Sequence, residues 1–285
     1  MLENVVISNF SELEKIKKEF QRGGVKKLHI LSDFERTLTY AFVNGEIVPS
    51  LISVLRSDGK YLGNDYAKKA QALFEKYHPI EIDSQIPIEE KKRVMEEWWM
   101  THFNLLIKSG LNKKQLEKVV QSEKIKLRGG AEEFFDLLQK YEIPLVIMSA
   151  SGLGGDIISM FLEKGGKLSP NIYIISNSFL WDEQGSAIGV KKPIIHSLNK
   201  DETIVRDFPP IYEKVKDRKN VILLGDNLED IGMIKGFNYE NLIKIGFLNE
   251  NVEENLEEYK RIYDVLILND FSIEHVNSLL KEIIK

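Results

Sequence analysis

The chain has 285 residues, 43% of them hydrophobic, and a formal net charge of -5. That length can bury one large core or two unequal ones, and the charge argues against an extended polyanion as the main partner. With no cysteine, disulfides, thiolate metal sites and cysteine nucleophiles are excluded, so a metal must sit on oxygen or imidazole ligands; the many carboxylates make magnesium the first expectation. No stretch approaches the roughly 18 consecutive apolar residues of a membrane span. The first residues, Met-Leu-Glu-Asn, lack the basic and apolar regions of a secretory signal, so a cytoplasmic location is expected.

Ser11 with Glu14 three residues later reads as a capping box, opening a helix over 12–21 that Gly23-Gly24 stops. The apolar run Leu28 to Leu31 then predicts a buried strand ending at Ser32 and Asp33, with Glu35 and Thr37 at alternate positions beyond it. Asn44-Gly45, between Tyr40-Ala-Phe-Val and Glu46-Ile-Val, predicts a two-residue hairpin. From about Leu51 to about Lys124 the pattern is helical: 66–77, then 87–108 with Pro87 in the first turn, then 113–121 after a capping Asn112. A helix over 131–141 and a strand over 145–148 ending in Ser149 resume the alternation. There follow a helix over 156–164, a strand over 172–175, a hairpin over 179–190 and a segment carrying Lys200. Strands over 221–224, 242–247 and 265–268 and a last helix from Ser272 complete an α/β fold with a mainly parallel sheet, interrupted by a helical block.

Three predicted strands thus end in polar residues: Asp33, Ser149, and Asp226 after Gly225. Ligand sites of open α/β sheets lie beyond the carboxyl ends of the strands. A carboxylate that attacks a phosphate monoester needs a cation to offset repulsion and donors around the phosphoryl oxygens. Asp33 and Asp226 can share magnesium, Asp230 can support them, Ser149 supplies a hydroxyl, and a downstream lysine balances charge. Glu35 is the acid within reach of a leaving oxygen. Taken singly, the aspartates read equally well as caps or turn formers, Ser149 more readily as a cap and Lys200 as a surface lysine; their order along the chain favours the catalytic reading. Two motifs are rejected: Ser151-Gly-Leu-Gly-Gly-Asp156 lacks the third glycine of a dinucleotide fingerprint, and Lys191-Lys192-Pro193 reads as a solvated turn after a hairpin strand.

Asp33-Phe-Glu-Arg-Thr-Leu-Thr39 resembles the first motif of the haloacid-dehalogenase-like phosphohydrolases, a Rossmann-like fold with an inserted cap. The wider chain resembles the cytosolic pyrimidine 5'-nucleotidases within that superfamily. Glu81-Ile-Asp83, Glu97-Trp98-Trp99, Ser149-Ala150, His196 to Lys200, Leu223-Leu-Gly-Asp226 and Lys244 to Asn249 carry the likeness. The resemblance implies Asp33 as nucleophile and magnesium ligand, Glu35 as proton donor and metal-loop residue, and Ser149, Ala150 and Lys200 at the phosphate. Asp226 and Asp230 are implied at the metal, and Glu81, with His102 in place of a serine, at the base. Aromatic residues at helical spacing more often pack in a core, but Trp98, Thr101 and His102 share a helix face, so one of Trp98 and Trp99 can stack on a base while the other packs inside. Glu81 suits an exocyclic amino group, as on cytosine or 7-methylguanine, whose positive ring would gain from tryptophan.

The family has aspartate where this chain has Glu35, and misplacing a catalytic group by roughly 1 Å can cost about 10²-fold. The expectation is a monomeric magnesium-dependent 5'-nucleotidase acting on CMP, UMP or 7-methyl-GMP, with residues 1–40 and 125–285 as core and 41–124 as cap. Neither a nucleic-acid polymer nor a membrane is an expected partner. The rivals are a phosphatase or phosphotransferase of the same fold with another phosphate ester, and a nucleotide-binding protein impaired at Glu35.

Overall fold

The structure is a computed structural model that describes residues 4–83, 85–200, 208–236 and 238–285. Its centre is a seven-stranded sheet built from β1 (Val5–Ile7), β2 (Leu28–Ser32), β5 (Leu145–Ser149), β6 (Ile172–Ser176), β9 (Asn220–Gly225), β10 (Asn241–Leu248) and β11 (Val265–Leu268), in the order β1-β11-β10-β9-β2-β5-β6. β1 pairs antiparallel with β11, and the other six strands are parallel. Strands covered on both faces read as near-continuous apolar runs, and β2, β5 and β9 are buried throughout. Alternation within each strand sorts side chains between two cores. Leu28, Ile30, Leu145, Ile147, Ile222 and Leu224 enter the larger one, whereas Leu31, Val146, Met148, Val221 and Leu223 enter the other.

β2 is the switch point. The chain adds β5 and β6 on one side of it and then crosses to lay β9, β10 and β11 on the other. Because β9, β2 and β5 are parallel neighbours, their carboxyl ends open on one edge, where α/β sheets place their ligands.

Between β2 and β5 the chain leaves the sheet. It makes the hairpin β3 (Phe42–Val43) and β4 (Glu46–Ile47), then α2 (Leu51–Arg56), α3 (Gly63–Ile82), α4 (Ile88–Lys108) and α5 (Lys113–Gln121), and returns through α6 (Ala131–Lys140). Asn44 and Gly45 both have positive φ, as a hairpin turn of this length requires. Asn112 caps α5 in a complete capping box with Gln115. The helical insert is joined by the hairpin β7 (Phe179–Trp181) and β8 (Ala187–Val190), which packs against α4. α7 (Gly154–Lys164) follows β5, and α8 (Pro209–Val215) precedes β9.

Local signals failed where packing or a better cap intervened. α1 (Phe10–Gly23) is capped by Asn9, whose side chain accepts the Glu12 N–H at 3.1 Å from an extended backbone position, so Ser11 lies inside the helix. Pro87 precedes α4 as its cap residue instead of opening the first turn. α3 runs through Pro79 to Ile82, past the expected end at Tyr77, because its buried face of Tyr66, Ala70 and Tyr77 packs on α4. β1, α8 and α9 (Val252–Ile262) had no clear signal: α9 has no fully buried residue and is charged along most of its length.

Arg128 ties the sheet edge together and is 1% exposed. Its guanidinium donates to the carbonyls of Thr37 at 2.9 Å, Phe271 at 2.7 Å and Arg36, to Asn249 Oδ1 at 3.0 Å, and pairs with Asp270 at 3.0 Å. Asp270 in turn accepts the N–H groups of Ala41 and Phe42 at 2.9 and 2.8 Å. One buried ion pair thereby holds the turn after β2, the entry to β3 and the connection after β11. Arg128→Met strands the Asp270 carboxylate and several carbonyls, and is expected to destabilise the protein by about 3–5 kcal/mol, read as a fall in the urea midpoint.

Candidate active site

Asp33 follows β2 directly, and its N–H donates to the Leu224 carbonyl of β9 at 3.0 Å. Asp226 follows β9, and Ser149 ends β5. Lys200 comes from the segment after β8, where a turn over Ser197–Asn199 is closed by a reciprocal cap: Asn199 Oδ1 accepts the His196 N–H at 2.8 Å, and the His196 ring accepts the Leu198 N–H at 3.3 Å. This turn aims the Lys200 ammonium inward. Its Nζ lies 2.5 Å from Asp33 Oδ1 and 3.2 Å from Asp230 Oδ1.

Asp230 starts from the 3₁₀ segment Leu228–Gly236, and its Oδ2 accepts the N–H groups of Asp226 and Asn227, each at 3.1 Å. A Cβ at Gly225 would stand 2.5 Å from the Asp230 Cβ. Glycine is therefore needed for the loop to fold back on itself.

Asp33, Asp226 and Asp230 each offer an oxygen within 4.8 Å of the others, and all three are buried. Among the described residues Lys200 is the cation in direct contact, so three carboxylates face one ammonium. Burial pushes the Asp33 carboxyl up, Lys200 pulls it back and Asp230 adds to the rise. Asp226 is raised by burial and by its two acidic neighbours. Burial works against charge on Lys200 as well, but Asp230 and Asp33 outweigh it and hold the ammonium protonated. A set of hard oxygen donors with charge to spare fits a divalent cation, so the triad could hold a metal.

A cavity of about 500 Å³ opens over this cluster. Asp33, Glu35, Ser149, Ala150, Lys200 and Asp226 line it, together with His78 of α3 and Ser50 and Ser53 at the start of α2. Of the residues singled out from the sequence, these six are brought together and Asp230 supports them. Glu35 is outside the carboxylate triad. Its carboxylate accepts the Leu51 N–H at 2.6 Å, capping α2, and burial raises its pKa against that hydrogen bond.

Glu81, Trp98, Trp99 and His102 are not among the residues that line the cavity. Glu81 accepts from Ser197 Oγ at 2.6 Å and meets His78 Nδ1 at 3.2 Å, which links α3 to the turn that presents Lys200. Trp98 stacks between Tyr77 and Trp99, with centroids 5.7 and 5.8 Å away. Trp99 covers the turn after Ser149 so closely that a Cβ on Gly152 would lie 2.8 Å from its ring. His102 is buried edge-on to Trp99, and burial lowers its pKa to about 3, leaving it neutral. The sequence reading did not single out His78, which reaches the cavity only because α3 continues past the expected stop.

Both rejected motifs have structural employment. The Gly154 and Gly155 N–H groups are bonded to the Ser151 and Asn177 carbonyls, so they are not aimed at a pyrophosphate. Lys192 pairs with Glu96 at 2.8 Å on the surface.

The family model Pyrimidine 5'-nucleotidase (UMPH-1) matches residues 36–284, beginning just after Asp33 and Glu35. A Xenopus laevis relative, 7-methylguanosine phosphate-specific 5'-nucleotidase A, is 37% identical over 262 residues, covering 92% of this chain and 89% of its own. The human 7-methylguanosine phosphate-specific 5'-nucleotidase is 35% identical over 285 residues, covering 100% of this chain and 94% of its own. A crystal structure of cytosolic 5'-nucleotidase IIIB bound to cytidine superposes with a TM-score of 0.90 at 29% identity, covering 99% of this chain and 94% of that one. The strand-end site and these likenesses together show that the chain belongs to the pyrimidine 5'-nucleotidase (UMPH-1) family, and is a 5'-nucleotidase, a hydrolase, with the haloacid-dehalogenase-like fold.

Proposed function

We propose that the protein hydrolyses a nucleoside 5'-monophosphate carrying 7-methylguanine or cytosine, in the cytoplasm, with magnesium at Asp33, Asp226 and Asp230. The observation that carries this reading is the buried carboxylate triad with Lys200 on its floor, in a chain of nucleotidase family. The two bases come from the relatives named for 7-methylguanosine phosphate and from the cytidine-bound structure. Residues 1–40 and 125–285 would form the core, with 41–124 as the cap over its strand-end edge.

An Asp33 oxygen attacks phosphorus as the bond to the nucleoside 5'-oxygen breaks, giving an aspartyl-phosphate. Glu35 hands its proton to the departing oxygen, then takes one from water, which attacks the same phosphorus and releases phosphate and free Asp33. Lys200, the Ser149 hydroxyl and backbone N–H groups around Ala150 hold the phosphoryl oxygens through both steps. Magnesium, when bound, neutralises charge between nucleophile and phosphate. One Glu35 carboxyl oxygen accepts the Leu51 N–H, so the other would carry the proton, and its position is tied to where α2 sits. Glu81, beside the cavity residue His78, would read the base once Ser197 releases it.

Phosphate release from CMP, UMP, AMP, GMP, 7-methyl-GMP and p-nitrophenyl phosphate should show magnesium-dependent turnover of CMP, 7-methyl-GMP or both. EDTA and Asp33→Asn should each abolish it, and a folded protein with magnesium silent on every nucleotide would remove the proposal. Glu35→Asp should raise kcat by up to about 10²-fold if the extra methylene misplaces the acid; an unchanged kcat would show that Glu35 is already well placed. Glu81→Gln should alter the ratio of kcat/KM between bases while leaving p-nitrophenyl phosphate unaffected. An unchanged ratio would assign Glu81 to its bond with Ser197 alone.

A further inference from the structure

The acidic loop after β9 is held from a side that the chemistry does not touch. Its N–H groups at Asp226 and Asn227 are taken by Asp230, as described, and the Asn227 carbonyl accepts the Asp230 N–H at 3.3 Å in return, so the Asp226 carbonyl in particular is left to be satisfied from outside the loop. Both point away from the cavity to α9. Tyr259 Oη donates to the Asp226 carbonyl at 2.8 Å, and Tyr263 Oη to the Asn227 carbonyl at 2.5 Å. The two residues are one helical turn apart, so their rings share a face and stack at 5.8 Å and 24°.

The sequence makes room for this arrangement. A Cβ at Gly246 would lie 2.6 Å from the Tyr263 ring, so β10 must carry glycine where that ring passes under it. Gly246 belongs to Lys244-Ile-Gly-Phe-Leu-Asn249, a stretch that contributes no side chain to the cavity. Tyr263 is 1% exposed. Burial raises both phenols, so each hydroxyl stays protonated and can go on donating near neutral pH.

We infer that Tyr259 and Tyr263 are positioning residues for the divalent cation, fixing the Asp226–Asn227 backbone so that the Asp226 carboxylate is held in place beside Asp33 and Asp230. The inference rests on the metal reading given above. Four hydrogen bonds, two to N–H groups and two to carbonyls, pin consecutive peptide units. Without the phenol hydroxyls the Asp226 carbonyl would lose its donor and the Asn227 carbonyl would keep only the longer contact from the Asp230 N–H, in a partly buried setting, and the loop would turn to find other donors. Asp226 would lose its orientation even though neither tyrosine touches substrate or metal. Removing the groups that orient a metal ligand typically weakens metal binding by about 10- to 100-fold.

The test is calorimetric titration of magnesium into metal-free wild type, Tyr259→Phe, Tyr263→Phe and the double variant, with kinetics at saturating magnesium alongside. Phenylalanine keeps the ring stack and the packing on Gly246, so folding should survive, and circular dichroism checks it. The expected result is a magnesium Kd roughly tenfold higher or more in the double variant, with smaller rises in the singles and an unchanged KM for nucleotide once magnesium is saturating. Wild-type magnesium affinity in all three variants, with only a lower Tm, would overturn the inference and leave the tyrosines a purely structural role. A wild-type protein that binds no magnesium would instead overturn the metal reading on which the inference rests.

Discussion

The arrangement of the molecule follows from placing like charges side by side at one sheet edge. Parallel pairing of β9 with β2 sends Asp33 and Asp226 out of adjacent strands, and Asp230 folds back beneath them. Three buried carboxylates in such proximity repel one another, and Lys200 offsets part of that repulsion through contacts with Asp33 and Asp230. The remaining negative charge is what lets the triad hold a divalent cation, the role proposed for it above. The same desolvation that makes the cluster costly in free energy strengthens each interaction formed there.

A cluster under such repulsion needs a rigid frame. Arg128 supplies one part, gathering the carbonyls of the turn after β2 and the Asp270 carboxylate into one buried network. The acidic loop is framed separately, with Asp230 on its amide side and α9 on its carbonyl side. On the far side of Asp33, Glu35 reaches out of the core to the first turn of α2. The turn after β2 and the helical insert are therefore linked through this carboxylate. The turn that presents Lys200 is linked to the insert a second time, through Ser197 and Glu81.

Much of the fold was legible from local pattern. The continuous apolar runs of β2, β5 and β9 read as strands because both faces of a parallel sheet are covered, and each was followed by the polar residue that the structure sets at the sheet edge. Asn44-Gly45 and Asn112 were equally legible, since a positive-φ turn and a side-chain cap are decided within a few residues. α9 was not legible: its polar face is indistinguishable from a solvated linker until Tyr259 and Tyr263 find their carbonyls in the loop after β9. Nor was Arg128, whose partners lie about 90 to 140 residues away along the chain.

The sequence by itself determined the class of fold, the order of the strand-end acids, the lysine and the serine, and the family resemblance that these carry. Those are properties of short segments, where periodicity and residue type act through the local backbone. Only the tertiary structure decided which carboxylates share a site, that Glu35 turns to Leu51 while Asp230 turns inward, and that Trp98 and Trp99 stack on one another while His78 lines the cavity. Side-chain direction at such points is set by which distant donor or ring is nearest after packing, and no window of neighbouring residues contains that information.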